Sequence, residues 1–155
     1  MRGFTLIEII IIAGITLIVG SVAIFNLTSF RPQNNLKLAT EELVVQLRDA
    51  QSRAVSQDQG SKWGVHFEAA TNESDWYEVF SGDSYATGIK QARAPIFSNL
   101  KFLDPVEGLS KDVIFAKLTG ATSAIVIKIG IIDNESVFYT INVAANGLIS
   151  YVKSQ

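Results

Sequence analysis

The sequence has no cysteine, one histidine and only three prolines. The absence of cysteine excludes disulfide bonds, thiolate zinc sites and a cysteine nucleophile, and it leaves the redox compartment undetermined. A folded domain in this chain must therefore be held together by packing and hydrogen bonds.

Catalytic motifs are also missing. The chain contains no GxSxG, HExxH, P-loop or GxGxxG pattern. His66 alternates with large apolar neighbours in WGVHF, which predicts a strand residue that faces solvent or a polar partner rather than a general base. We therefore predict a non-enzyme with no catalytic residues, no cofactor and no small-molecule substrate.

Basic charge is scarce, with 13 Lys and Arg against 15 Asp and Glu and a formal net charge of -2 at pH 7. Such a chain has no global basic field that would attract nucleic acid. Lys90, Arg93 and Lys153 are weak candidates for DNA contacts, but they are sparse, and the C-terminal tail carries no basic run. Nucleic acid is therefore not expected as a partner.

A late acidic turn is the one place where a metal could be considered. Asp133, Asn134 and Glu135 supply oxygen donors there. Three donors fall short of the roughly 6 to 8 that calcium needs. We therefore predict a solvated turn and no metal site.

What the sequence does have is a long apolar run. Residues 9–30 carry no charge, and as a helix they rise about 33 Å, enough to cross a hydrocarbon core of about 30 Å. Arg2 precedes the run, as the cytoplasmic side of an anchor requires. Glu8 stands at its edge, and because charge in hydrocarbon is costly, this carboxylate needs a partner or a task.

Three interpretations of this segment are open on the residues alone. A cleaved secretory signal has an apolar region of about 7 to 15 residues and a small-residue cleavage site, so this run is too long for it. A plain membrane anchor fits the length but leaves Glu8 unexplained. In the third interpretation Met1, Arg2 and Gly3 form a removable leader, and Phe4 becomes the new N-terminus.

The stretch GFTLIE, followed directly by the apolar run, resembles the class III signal of type IV pilins and of type II secretion pseudopilins. The resemblance implies that a prepilin peptidase and N-methyltransferase cleaves between Gly3 and Phe4 and methylates the Phe4 amino group. It also implies that Glu8 neutralises the Phe4 amino group of a neighbouring subunit, an attraction that a low local dielectric strengthens. Other pilin or pseudopilin subunits, the membrane and an assembly platform are the further partners implied.

The same resemblance assigns the apolar helix first to the membrane and then to a filament core. Ile9, Ile12, Leu17, Val22 and Phe25 represent an apolar surface that runs nearly all round this helix. The resemblance implies a single-pass protein of the cytoplasmic (inner) membrane with a short cytoplasmic leader and an extracytoplasmic head. The subunit would later enter a periplasmic or extracellular filament.

A second helix is predicted after an interruption. Phe30, Arg31 and Pro32 mark a boundary, because proline disfavours helix in the residue before it, and Asn34 or Asn35 offers an N-cap. Apolar residues then recur with a mean spacing of about 3.6 over residues 35–58, which predicts an amphipathic helix that packs on its own sheet rather than a coiled coil. The members of this apolar stripe are Leu36, Ala39, Leu43, Leu47, Ala50 and Ala54.

The rest of the chain predicts strands. Residues 63–67 and 76–81 form a hairpin around a polar turn, and residues 82–93 form an exposed loop. A short strand is predicted near residues 96–102. Stronger strands, rich in β-branched and aromatic residues, are predicted at 113–118, 124–132, 137–144 and 148–153. Asn146 and Gly147 predict a type I′ turn between the last two.

These elements predict an α+β fold, with a long N-terminal helix, half transmembrane and half amphipathic, packed on an antiparallel β-sheet head at about 62–153. ATEELVVQLRDAQSRAVSQ at residues 39–57, WGVHF at residues 63–67 and the closing strand pair resemble the GspH/FimT-like minor pseudopilins and minor pilins. The expected division is a leader at 1–3, a membrane and filament-core helix at 4–30 and an extracytoplasmic head at 31–155.

The resemblance implies a structural subunit, a minor pilin or pseudopilin, of a type IV pilus or a type II secretion filament. Two alternatives stay open. One is a minor pilin whose head captures DNA during natural transformation. The other is a plain single-pass envelope protein anchored in the membrane.

Overall fold

The computed structural model describes residues 5–154, except for the side chains of residues 19–30. A single long helix, α1 (Leu6–Val55), leads into the head and is followed by a short 3-10 turn, Asp58–Gly60. Helix α1 ends at Val55, earlier than the predicted end at residue 58. Gln57, just beyond the end of the helix, adopts a left-handed φ of 56°.

The predicted interruption before the amphipathic helix is wrong, because α1 continues through Pro32. Proline removes one backbone donor and costs about 3 kcal/mol or more in a helix interior. The turns that follow Pro32 are fixed by packing, since Leu36 is fully buried against the head. Packing of the next turns therefore overrides the local preference of the Phe30 to Pro32 segment.

Two antiparallel sheets form the head. The first contains β1 (Trp63–Glu68), β2 (Trp76–Ser81), β3 (Ile89–Lys90), β4 (Ala94–Pro95) and β6 (Ser110–Phe115), in the order β3-β2-β1-β6, with β4 also pairing with β2. The second contains β5 (Leu100–Asp104), β7 (Ile125–Ile131), β8 (Asn134–Val143) and β9 (Ile149–Lys153), in the order β5-β7-β8-β9. The predicted α+β class is thereby confirmed.

The predicted hairpin of β1 and β2 is confirmed, with Trp63 opposite Ser81 and Phe67 opposite Tyr77. The loop predicted at 82–93 departs from expectation, because it includes strand β3 and folds over the first sheet. The strand predicted near 96–102 is β5, which begins only at Leu100.

The turn between β8 and β9 is not type I′, so that prediction is wrong. A type I′ turn needs positive φ at both central residues, and of the residues between the two strands only Gly147 has it, with a φ of 84°. Its N–H donates to the Ala144 carbonyl at 2.8 Å. The last strand pair is Val143 with Ile149, so the connection is too long for a two-residue turn, and Gly147 occupies its fourth position.

The core lies between the second half of α1 and the inner faces of both sheets. The predicted apolar stripe of the helix is confirmed, since its six members are at most 3% exposed. Alternate residues of β1 point into the same core, namely Trp63, Val65 and Phe67. From the second sheet come Ile127, Ile129, Ile141 and Val143. The helix is therefore rigidly attached to the head from Leu36 onward.

Candidate functional site

The first turns of α1 expose apolar side chains on every side. The large apolar residues between Leu6 and Ile18 have exposed fractions from 53% to 77%. Ile9 to Ile12 are consecutive, and at about 100° per residue they go once round the helix. A helix that is apolar all round is suited to lipid or to a bundle of other helices. The exposed members are Leu6, Ile7, Ile9, Ile10, Ile11, Ile12, Ile15, Leu17 and Ile18.

Two polar side chains interrupt this surface. The Thr16 hydroxyl donates to the Ile12 carbonyl at 2.7 Å, which satisfies it inside an apolar environment. Glu8 is exposed in the first turn, where the helix dipole favours a negative charge. Its carboxylate forms no ion pair or hydrogen bond with any residue that the structure describes.

The remaining predicted assembly residues lie outside the described part of the chain. Gly3 and Phe4 precede it, and the side chains of Val22 and Phe25 are not described. Cleavage, methylation and charge pairing at these positions stay predictions. Within the described residues, no helical stretch combines the length and the hydropathy needed to cross a membrane.

Hydrogen bonds fix the second half of α1 to both sheets. The Tyr77 hydroxyl on β2 donates to the Glu42 carboxylate at 2.7 Å, and burial, followed by the bond to Glu42, raises the Tyr77 pKa. Near the end of the helix, the Gln51 amide donates to the carbonyls of Gly120 and Gly147 at 3.2 and 2.8 Å. These bonds attach the second half of α1 to β2 and to the loops that carry Gly120 and Gly147.

The predicted DNA contacts in the 82–93 loop are engaged with aromatic rings. Lys90 Nζ lies 4.0 Å from the centre of the Tyr85 ring, and Arg93 Cζ lies 3.8 Å from that of Trp76. Arg93 also approaches the Glu73 carboxylate at 3.3 Å. Both cations thus have partners within the head.

Lys153, the third DNA candidate, lies in the other sheet. It ends the edge strand β9, and its Nζ donates to Gln33 Oε1 at 3.5 Å. The structure therefore brings Lys90 and Arg93 together over the first sheet but leaves Lys153 on the second.

A polar cluster around His66, which the sequence did not predict, covers the outer face of the first sheet. His66 is 5% exposed, with Nδ1 2.6 Å from Asp112 Oδ1 and Nε2 3.2 Å from Glu68 Oε2. The Tyr85 ring stacks on the imidazole at 3.6 Å, and its hydroxyl donates to Glu78. The prediction that His66 meets a polar partner is confirmed, whereas it does not face solvent.

The signal that could have identified this cluster is strand register. His66 pairs with Glu78 on one side and Asp112 on the other, and the latter lies 46 residues away in sequence. Alternation of side chains shows that all three share a face once the strands are paired. The pairing itself cannot be read from one sequence.

A buried carboxylate joins the two sheets at a cleft of about 690 Å³. Asp75 is 6% exposed and accepts hydrogen bonds from the backbone N–H groups of Ala70 at 2.9 Å and Phe102 at 2.6 Å. Burial raises the pKa of Asp75 above its ordinary 3.8, although both backbone bonds oppose the shift. Because both oxygens accept backbone bonds, Asp75 acts as a structural bridge.

An ion pair adjoins the late acidic turn. Glu135 lies at the start of strand β8 rather than in the turn, and its carboxylate contacts Lys101 Nζ on β5 of the same sheet. Within the described residues, no group of three or more His, Cys, Asp or Glu side chains is placed to hold a metal.

Comparisons with known proteins give solved structures but no family. No protein-family model matches the chain. A search of curated proteins also gives no match.

The matching structures are a minor pilin and a minor pseudopilin. Two crystal structures of the type IV minor pilin FimU of Pseudomonas aeruginosa strain PAO1 match with TM-scores of 0.51 and 0.55, both at 20% identity. They cover 77% and 81% of this chain and 94% and 93% of FimU. The minor pseudopilin EpsH from the Type 2 Secretion System of Vibrio cholerae matches with a TM-score of 0.56 at 11% identity, covering 77% of this chain and 96% of EpsH. The fold of this chain is therefore pilin-like.

Proposed function

We propose that this chain is a structural subunit, a minor pilin or minor pseudopilin, of a type IV pilus or a type II secretion filament. The observation that carries the proposal is the exposed apolar surface at residues 6–18 of α1, a helix that continues without a break into the part packed on the head. The fold supports it, since FimU is a type IV minor pilin and EpsH is a minor pseudopilin of a Type 2 Secretion System.

Assembly would proceed through the exposed half of the helix. Burial of apolar surface contributes about 25 cal/mol per Å², so side chains such as Ile12 and Leu17 strongly favour lipid or neighbouring helices over water. A single-pass position in the cytoplasmic membrane holds the subunit ready, and the head lies on the extracytoplasmic side. Transfer into a bundle of like helices then keeps the same surface buried in the filament.

Processing would prepare the end of this helix. A prepilin peptidase removes residues 1–3 by cutting between Gly3 and Phe4, and the new Phe4 amino group is methylated. Glu8 pairs with the Phe4 amino group of a neighbouring subunit as the helix enters the filament. The support for this role is that Glu8 is exposed and unpaired among the described residues.

The test measures incorporation in native cells that make the filament. Wild-type chain, Glu8→Ala and the control Glu41→Ala are compared in the membrane fraction and in sheared filaments. Glu41 lies on the same helix, but in the half attached to the head, where its carboxylate is 3.8 Å from Lys37. The control therefore removes a carboxylate from α1 outside the assembly region.

We expect all three chains in the membrane, but about tenfold or more less Glu8→Ala than wild type in filaments. Without Glu8, the Phe4 amino group of the neighbouring subunit is left as an unpaired charge in the low-dielectric filament core, which costs several kcal/mol. Glu41→Ala should enter filaments like the wild type. Wild-type chain that reaches the membrane but never the filament contradicts the proposal. Equal incorporation of Glu8→Ala contradicts the role of Glu8.

A further inference from the structure

The outer face of the first sheet carries a histidine that points away from the core but is nevertheless buried. Val65 and Phe67 point inward from β1, so His66 between them points outward. It is only 5% exposed, and the ring of Tyr85, from the 82–93 loop, lies flat on it with an interplanar angle of 5°. The loop therefore acts as a cover over His66.

Both nitrogens of the ring face carboxylates. Nδ1 lies 2.6 Å from Asp112 Oδ1 and Nε2 lies 3.2 Å from Glu68 Oε2. An ionised carboxylate only accepts hydrogen bonds, and a neutral imidazole has a single N–H to donate. Both bonds form together only when the ring carries two protons, so this geometry is that of an imidazolium.

The charges around the ring favour the same state. Three carboxylates and two cations face the cluster from the surrounding elements. Neither cation contacts Asp112 or Glu68, because Lys90 lies over the Tyr85 ring and Arg93 lies over Trp76 beside Glu73. Asp112 and Glu68 therefore have the imidazole of His66, rather than Lys90 or Arg93, as their partner. The facing groups are Glu68 of β1, Glu78 of β2, Asp112 of β6, Lys90 of β3, and Tyr85 and Arg93 of the loop segments.

Tyr85 stacks directly on the imidazole of His66. An imidazolium stacked 3.6 Å from an aromatic ring gains a cation–π attraction that a neutral imidazole lacks. Burial and the bond to Glu78 raise the Tyr85 pKa to about 12, so its hydroxyl stays a donor at ordinary pH. Tyr85 itself therefore keeps its proton, and the other titratable ring of the stack is His66.

We propose that His66 is a pH-dependent switch. As an imidazolium it bonds both Asp112 and Glu68 and holds Tyr85 over the sheet, and when it loses a proton it releases Tyr85. Deprotonation removes one of the two ring donors and leaves a carboxylate facing a nitrogen lone pair. The cover is thus closed at acidic pH and opens as the pH rises.

The release is local, because both ends of the loop have anchors of their own. Lys62 pairs with Asp83 at 2.9 Å at the start, and the Gln91 N–H donates to the Val79 carbonyl at 2.9 Å near the end. The segment that moves is the turn around Tyr85. Its movement exposes His66 and changes the outer surface of the head.

The test uses nuclear magnetic resonance on the full chain in detergent micelles. The chain has one histidine and four tyrosines, so ¹⁵N-labelled histidine reports His66 alone and ¹³C-labelled tyrosine gives a small set of signals. Tyr85→Phe identifies the Tyr85 signal. Spectra are recorded across the range in which histidine ordinarily titrates, about pH 5 to 8, and above it.

We expect two similar ¹⁵N shifts from the ring at the acidic end, as in an imidazolium, and widely separated shifts at the alkaline end. The Tyr85 signal should move with the same midpoint, while the exposed Tyr151 does not follow. His66→Gln should place Tyr85 in its alkaline position at every pH. A neutral ring at the acidic end overturns the proposal, and so does a Tyr85 signal that ignores the titration of His66. Because these two readings come from the wild-type chain, the test does not depend on whether a variant folds.

Discussion

The two halves of α1 belong to one helix but have opposite surroundings. Between Leu6 and Ile18 the large apolar side chains are more than half exposed, whereas the stripe from Leu36 to Ala54 is at most 3% exposed. The first half is apolar all round, and the second is apolar on one stripe only. The difference shows that the width of the apolar surface, rather than the helix itself, determines which partner each half needs.

The energetic consequence is that the two halves are stabilised at different times. Fully burying a large apolar side chain contributes about 1.5–3 kcal/mol. The second half gains this on folding against the sheets. Under the proposed function, the first half gains it in lipid or in a filament, so substitutions there should affect assembly and leave the fold intact.

The largest effect on stability is expected from Leu43→Ala, compared with Ile12→Ala. Leu43 is fully buried, so truncation should lower the free energy of unfolding by about 2–5 kcal/mol. Ile12 is 53% exposed and should change it by less than about 0.5 kcal/mol. Urea unfolding of the detergent-solubilised chain, followed by tryptophan fluorescence, measures both. Equal losses of unfolding free energy in Leu43→Ala and Ile12→Ala would show that the two halves of α1 contribute to the fold in the same way.

Asp75→Ala should give the next largest effect. It leaves two backbone N–H groups, of Ala70 and Phe102, without their acceptor. An unsatisfied buried donor costs about 1–3 kcal/mol, so we expect a loss of about 2 kcal/mol or more in the same unfolding measurement. A loss below about 0.5 kcal/mol would show that Asp75 does not bridge the sheets.

The same carboxyl predicts a dependence on pH. Because the Asp75 pKa is raised in the folded protein, its proton stabilises the fold fully below 3.8, and this stabilisation is lost as pH rises through the raised value. Asp75→Asn cannot titrate, so its unfolding free energy should fall less than that of the wild type across this window. If the unfolding free energies of the wild type and Asp75→Asn changed equally with pH across this window, the raised pKa of Asp75 would be contradicted.

Tyr77→Phe tests the bond between the second half of α1 and β2. Loss of the 2.7 Å bond to Glu42 should lower the unfolding free energy by about 1 kcal/mol. Tyr151→Phe is the matched control, since this 40% exposed side chain reaches Glu41 only at 3.5 Å. The control should change stability by less than about 0.5 kcal/mol. Equal effects would show that the Tyr77 bond contributes nothing particular.

Asp49→Ala should give the smallest effect. Asp49 and Arg53 form an i,i+4 pair at 2.7 Å on the wet side of α1. Such exposed pairs contribute about 0.3–0.5 kcal/mol, and about 1 M salt screens them. The difference from the wild type should therefore disappear when unfolding is repeated at high salt. A difference that persists there would point to lost packing instead.

The elements that the sequence predicted best depend on local periodicity. The stripe from Leu36 to Ala54 repeats at the helical period, and Trp63, Val65 and Phe67 repeat at the strand period, so both give their buried faces directly. The wrong predictions at Pro32 and Asn146 came from local preferences that longer-range structure overrides. At Pro32, packing of the following turns overrides the preference of proline to end a helix. At Asn146, the connection between β8 and β9 is too long for the two-residue turn that Asn-Gly favours.

The candidate sites divide in the same way. Glu8 could be singled out because it stands at the edge of an uncharged run, a property of neighbouring residues. The His66 cluster could not, because Asp112 joins it through the pairing of β1 with β6 and Tyr85 through the fold of a loop. Side chains that depend on register between distant strands are not visible in a single sequence.

If the first part of α1 is a processed assembly helix, as we propose, the mass of the N-terminal peptide shows it most directly. The measurement is made on protein recovered from native membranes or sheared filaments of cells with an active prepilin peptidase. We predict a chain that begins at Phe4 with a methylated amino group. A chain that retains Met1, Arg2 and Gly3 would contradict it.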